Sequence, residues 1–235
     1  MQNNLVRGAC FAAAALCLAA TSNADGITSA EKSDVMADFD IVETKVTIEG
    51  ENAVFTSRVR GAAGATKPAA TGKFEGSDVH AYVWPTSLNS ADVGFEKDQG
   101  IVALAATFHP DFDDGAKGAK NSDKWHAHWV VLGKHEQCKG GLRVVDIPEG
   151  AKPKVPETWP GVPLLIDSPE YATELSGQTA VVRVPMAAVS AVKDAKFDGV
   201  TAGLRVNANL HAPLLCVQDV FKIASGDLSL PGVVK

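Results

Sequence analysis

"FDIVETKVTIEGENAVFTSRVR", residues 39–60, is the stretch on which the fold reading rests. From Phe39 to Glu49 apolar and polar side chains alternate through Ile41, Val46 and Ile48, with Thr and Lys between them. Successive strand residues point to opposite faces, so a period of two marks a strand with one buried face. Gly50-Glu51-Asn52 supplies a turn, and "AVFTSRVR" (Ala53 to Arg60) runs back. The two halves read as a β-hairpin.

Runs of the same kind recur outward from this hairpin, at Val79 to Trp84, Ile101 to Phe108, His126 to Leu132 and Leu142 to Asp146. They continue at Thr179 to Val184, Val200 to Asn207 and Leu214 to Ile223. Nine short strands separated by turn residues predict an all-β protein, an antiparallel β-sandwich. Helical features are confined to Met186 to Lys196 and to Thr28 to Ala37, each a short helix or a connecting turn. Gly61 to Lys73 is small and polar, a surface loop. Asp146 to Pro163 carries Pro148, Pro153, Pro156, Pro160 and Pro163, a density no sheet or helix interior tolerates, so it reads as an extended loop. Nothing divides residues 25–235 into two cores, and a single domain is expected.

The first residues, "MQNNLVRGACFAAAALCLAATSNADG", place Arg7 ahead of an apolar run from Gly8 to Ala20. Ser22-Asn23-Ala24 then offers small side chains for a signal peptidase. The run is too short for a bilayer core of ~30 Å, so residues 1–24 read as a secretory signal peptide and the mature chain as periplasmic or secreted. With 28 acidic against 22 basic side chains the formal net charge is −6. That balance argues against nucleic acid and against an anionic membrane surface as partners, and no membrane insertion is expected. Cys10 and Cys17 fall in the leader, leaving Cys138 and Cys216. An oxidising compartment predicts one disulfide between them, with thiolate ligation of a soft metal as the alternative.

The chemistry centres on "KWHAHWVVL", Lys124 to Leu132. On a strand, His126 and His128 share a face, at a spacing that lets two imidazoles grip one ion. His80 lies in "VHAYVW" on the face of Tyr82 and Trp84, and His109 ends "IVALAATFH" before Pro110. The four are the candidate metal ligands: converging at one rim, they would form a tetrahedral zinc or a tetragonal copper site. The structural alternative is that such histidines bond backbone carbonyls. His135, beside Lys134 and Glu136, reads as exposed, and His211 as structural.

The string His126-Ala127-His128-Trp129 resembles the zinc strand of the alpha-type carbonic anhydrases. That family places its third histidine after a longer segment, whereas His135 follows within seven positions here. The resemblance spans four residues and carries no activity over.

A second constellation is Asp111, Asp113 and Asp114 with Gly115, hard carboxylate oxygens suited to calcium. Counted from Asp111, Gly115 is fifth and Ser122 twelfth, which fails the EF-hand pattern. A calcium loop of another kind and a solvated acidic loop relieved by Lys117, Lys120 and Lys124 both remain open. No Gly-x-Ser-x-Gly elbow appears, and catalytic residues stay unassigned.

The expected function is an exported β-sandwich binding protein that holds copper or zinc, its partner a metal ion or small ligand. One alternative is a metal-dependent periplasmic enzyme, hydrolase or oxidoreductase, with an open coordination position. The other is a metal-free carbohydrate- or protein-recognition module presenting Trp84, Trp125 and Trp159.

Overall fold

The computed structural model describes residues 22–23, 26–207 and 213–235. The signal-peptide reading of residues 1–24 falls almost wholly outside them, and His211 lies outside as well. Strands come in chain order: β1 Ser22–Asn23, β2 Gly26–Thr28, β3 Ile41–Glu49, β4 Asn52–Val59, β5 Asp78–Pro85, β6 Ile101–Phe108 and β7 His126–Lys134. They continue as β8 Leu142–Val144, β9 Ile166–Asp167, β10 Ala172–Ser176, β11 Thr179–Pro185, β12 Lys196–Phe197, β13 Val200–Val206, β14 Leu215–Ile223 and β15 Gly232–Val233. Among the described residues there is no α-helix. Met186 to Lys196 forms only the 3-10 turn Ser190–Asp194, and Thr28 to Ala37 forms the end of β2 followed by turns. No helix among the described residues is long and apolar enough to cross a membrane.

The protein is all-β and every strand pairing is antiparallel, but the nine-stranded sandwich is corrected. One sheet runs β1-β2-β3-β4-β11-β10. A second runs β6-β5-β13-β14-β8-β7-β9 and its first six strands close on themselves, because β6 also pairs β7 from Ile101 opposite Leu132 to Thr107 opposite His126; β12 and β15 pair as a small third sheet. The result is a six-stranded barrel against which the first sheet packs. Alternation shows that a strand has a buried face; it does not show whether the sheet carrying that strand stays open. Here β5, β6 and β7 are buried on both faces, one inside the barrel and one under the sheet.

Two cores follow. Phe39, Phe55, Trp84, Leu104, Trp129 and Val182 fill the space between barrel and sheet. Val79, Ala81, Val83, Ala105, Val130 and Leu204 line the barrel's inside. Truncating a fully buried tryptophan such as Trp129 to alanine would cost ~3–5 kcal/mol. On β5 the odd positions Val79, Ala81 and Val83 face inward, so His80, Tyr82 and Trp84 face the sheet.

Two covalent or ionic ties join distant strands. Cys138, after β7, is disulfide-bonded to Cys216 on β14, as the exported reading expects. Lys222, at the end of β14, donates to Asp40 Oδ1 at 2.7 Å and to the Ala30 carbonyl at 2.6 Å. Arg60 Nε donates to the other Asp40 oxygen at 2.9 Å. The Asp40 and Lys222 side chains are fully buried. Burial pushes the Asp40 carboxyl up, but the bonds from Lys222, Arg60 and the Lys32 amide outweigh it and hold it below the ordinary carboxylate range.

Candidate metal centre

The inward face of β6 carries Ala103, Ala105 and Thr107, and His109 continues that parity one step past the strand. Antiparallel register sets Ala105 opposite His128 and Thr107 opposite His126. All three imidazoles therefore reach the same end of the barrel. The loop between β6 and β7 returns Asp114 to the same point, and one ligand atom from each of His109, Asp114, His126 and His128 lies within 4.8 Å of the others.

The loop is shaped for that return. Asp113 accepts from the Asn121 and Ser122 amides and from Lys120 at 2.7 Å. Asn121, itself buried, accepts from the Asp114 amide at 3.0 Å and donates to Asp114 Oδ1 at 2.8 Å. The ring of Phe112 stacks on His109 at 4.0 Å between centroids.

Proton positions follow from the partners on the far side of each ring. His109 Nδ1 lies 2.9 Å from the Phe112 carbonyl, and His126 Nδ1 lies 2.9 Å from the Lys124 carbonyl. His128 Nδ1 lies 3.1 Å from the Asp167 carbonyl and 3.1 Å from Ser168 Oγ, whose own proton goes to the Asp114 carbonyl. A carbonyl only accepts, so each Nδ1 donates and each neutral ring turns an unprotonated Nε2 inward. His109 Nε2 and His126 Nε2 are 3.0 Å apart. Asp114 Oδ1 is 3.3 Å from the first and 3.2 Å from the second, and Oδ2 is 3.3 Å from His128 Nε2. His128 Nε2 is close enough to that oxygen to pair but makes no hydrogen bond.

Four electron-rich atoms facing one point repel one another unless a cation lies among them. The edge of a tetrahedron with metal–ligand bonds of ~2.1 Å is ~3.4 Å, close to the spacings His109, His126 and Asp114 show. The quartet is also dry: His109 is 2 % exposed, His128 1 %, Asp114 6 % and His126 12 %. Burial raises the Asp114 carboxyl, but in the metal-free protein a proton held on the imidazoles of His128, His109 and His126 offers charge or a hydrogen bond that outweighs it and keeps the carboxyl well below the ordinary range. Burial lowers the His128 imidazole to about 4, aided by His126 and His109 and opposed by Asp114. A neutral imidazole is the ligating form. His109, Asp114, His126 and His128 can hold a metal ion.

No known protein family, curated protein or solved structure matches this chain. The geometry alone therefore carries the site.

Of the predicted ligands, His126, His128 and His109 come together and His80 does not. Its parity on β5 turns it to the sheet, where it bonds the Thr66 carbonyl at 3.2 Å and meets Phe39 edge-on. The three carboxylates of the predicted calcium loop diverge. Asp111 accepts from Thr71 and Gly72, Asp113 binds its own loop, and Asp114 alone turns to the histidines. The three tryptophans differ in burial: Trp84 is buried, and Trp125 and Trp159 are half-buried. Trp84 is fully buried and donates to Thr44, Trp125 packs on Tyr82 and Phe108, and Trp159 donates to the Leu164 carbonyl, pinning the Pro-rich loop. Sequence reasoning missed Asn121 and Ser168, whose roles depend on loop geometry. Asp114 was visible, but only as an acid beside two others.

Proposed function

We propose that this is an exported protein that holds one divalent transition-metal ion, zinc or copper, through His109, His126, His128 and Asp114. One observation carries the reading: three buried imidazoles have spent their Nδ1 protons on carbonyl and hydroxyl oxygens and turn bare Nε2 atoms toward a common carboxylate. Three nitrogens and one oxygen, with no sulfur, suit zinc(II) or copper(II) and not a soft monovalent ion. Calcium fits poorly, because it takes six to eight oxygen ligands. Four protein donors also match a closed site, which favours holding an ion over catalysis.

Burial sets the mode of action. Only His126 borders the outer cleft, a space of about 300 Å³ bounded by Lys120, Asn121, Lys124, Glu170 and Tyr171. An ion behind it exchanges slowly and ties the β6–β7 loop to the barrel end, so it acts as a resident ion and not as quickly surrendered cargo. The exported compartment is supported by the leader-like residues 1–24 and by the disulfide.

Elemental analysis of untagged protein is expected to return one zinc or copper per chain, and the double variant His126→Ala, His128→Ala to return none. Full metal content in that variant would overturn the assignment.

A further inference from the structure

The barrel interior is not filled. A chamber of about 100 Å³ remains inside it, walled by aliphatic side chains that include Ala81, Ala105, Ala202, Val130 and Ile166. His109, Asp114 and His128 line the same chamber, so the metal centre forms part of its wall. Protein interiors pack as densely as organic crystals and hold few voids larger than a water molecule. Alanine at three inward positions on neighbouring strands β5, β6 and β13 leaves space that valine or leucine would fill. Water gains little against the aliphatic part of the wall, which makes up most of it and offers no partners, and apolar cavities of ~150 Å³ stay dry while taking up benzene or xenon.

The chamber also has an apolar mouth. Val220 and Leu228 line it while remaining 40 % and 37 % exposed, so an aliphatic path runs from solvent to the interior. Leu228 holds that position with φ at 59°, a left-handed backbone that branched aliphatic residues seldom adopt. Strain of this kind persists only where the surroundings impose it.

We infer that the chamber is a binding site for a small uncharged apolar molecule, of on the order of four or five heavy atoms by scaling from benzene, held against the inner face of the His109/Asp114/His128 wall. The inference deepens the metal reading but does not need it, since the chamber's walls exist with or without an ion.

Xenon is the probe. Crystals of the full protein under xenon pressure are expected to show one xenon atom beside Ala81, Ala105 and Ala202, in both zinc-loaded and chelator-treated protein. Ala202→Leu is expected to lower that occupancy at least tenfold while leaving metal content at one ion per chain, and Ala81→Val, a milder filling, to lower it severalfold. Should Ala202→Leu fail to fold, Ala81→Val and the wild type decide the matter alone. Absence of xenon from the wild-type chamber, or equal occupancy in the filled variants, overturns the proposal. Protein that takes up xenon in the chamber but binds neither zinc nor copper when these are supplied would sink the metal reading and leave this one standing.

Discussion

Two buried carboxylates in this molecule have opposite surroundings. Asp40 lies where β3 meets β14, and everything around it is a donor: the Lys222 ammonium, the Arg60 guanidinium and the Lys32 amide. Asp114 lies at the barrel's end and faces three imidazole nitrogens whose protons point away from it. The first cluster contains its own cations. The second turns ring nitrogens toward a carboxylate that the Asn121 amide steadies from the side. A buried charge is tolerated only when paired, so the contrast separates a structural ion pair from a ligand sphere without reference to any relative.

The contrast breaks most sharply at Lys222. Lys222→Met should destabilise the protein by about 3–5 kcal/mol, as removal of one member of a buried pair does, in zinc and in chelator alike. Urea titration under both conditions reads this, and a loss seen only with metal present would mean the two clusters are not independent. Next, stripping the metal should lower stability by ~4 kcal/mol relative to protein with free ion at a thousandfold its Kd. The Lys222→Met variant should lose the same increment, which thermal unfolding with and without chelator will show.

Asn121→Ala tests a finer point. It removes the donor that orients Asp114 but no ligand, so metal affinity should fall ~10–100-fold, and the apo protein should lose ~1–3 kcal/mol because the buried Asp114 amide is left without its acceptor. Competition with a chromogenic chelator measures it; unchanged affinity would mean that Asp114 is positioned by the backbone alone. The smallest effect concerns pH. The Asp40 carboxyl titrates lower folded than unfolded, so its contribution is complete above the ordinary carboxylate value, ~3.9, and is lost as pH falls through the folded value. Denaturant midpoints of metal-free protein should therefore fall with acidification in that range, and less steeply in Lys222→Met.

Much of the site was legible in the chain because it depends on local rules. Period two placed His126 and His128 on one face, and strand continuation brought His109 within reach. The same parity put His80 with Tyr82 and Trp84, and only the location of the aromatic core shows that this face is the wrong one. Barrel closure was not legible, since the β6–β7 pairing depends on sheet curvature and not on composition. Closure also explains Trp84: with both faces of β5 covered, no side chain of that strand's middle reaches solvent. The short strand β10, "ATELS", carries mostly polar residues at an edge, so its alternation gives little signal. Asp114 shows the limit most clearly. Three acids within four positions look alike in sequence, and hydrogen bonds from Asn121, Thr71 and the Asp113 loop send each a different way.

The four ligands also differ from the barrel in how far apart along the chain their partners stand. His109 and His126 are 17 residues apart and belong to one hairpin. The barrel around them depends on contacts such as Asp78 with Arg205, 127 residues apart. Nearby partners meet early and distant ones late, and a chain made from its N-terminus finishes the β6–β7 hairpin well before β13 and β14 exist. The four candidate ligands are thus all in place once β7 has been made, and an ion captured there would serve as a template on which β13 and β14 assemble.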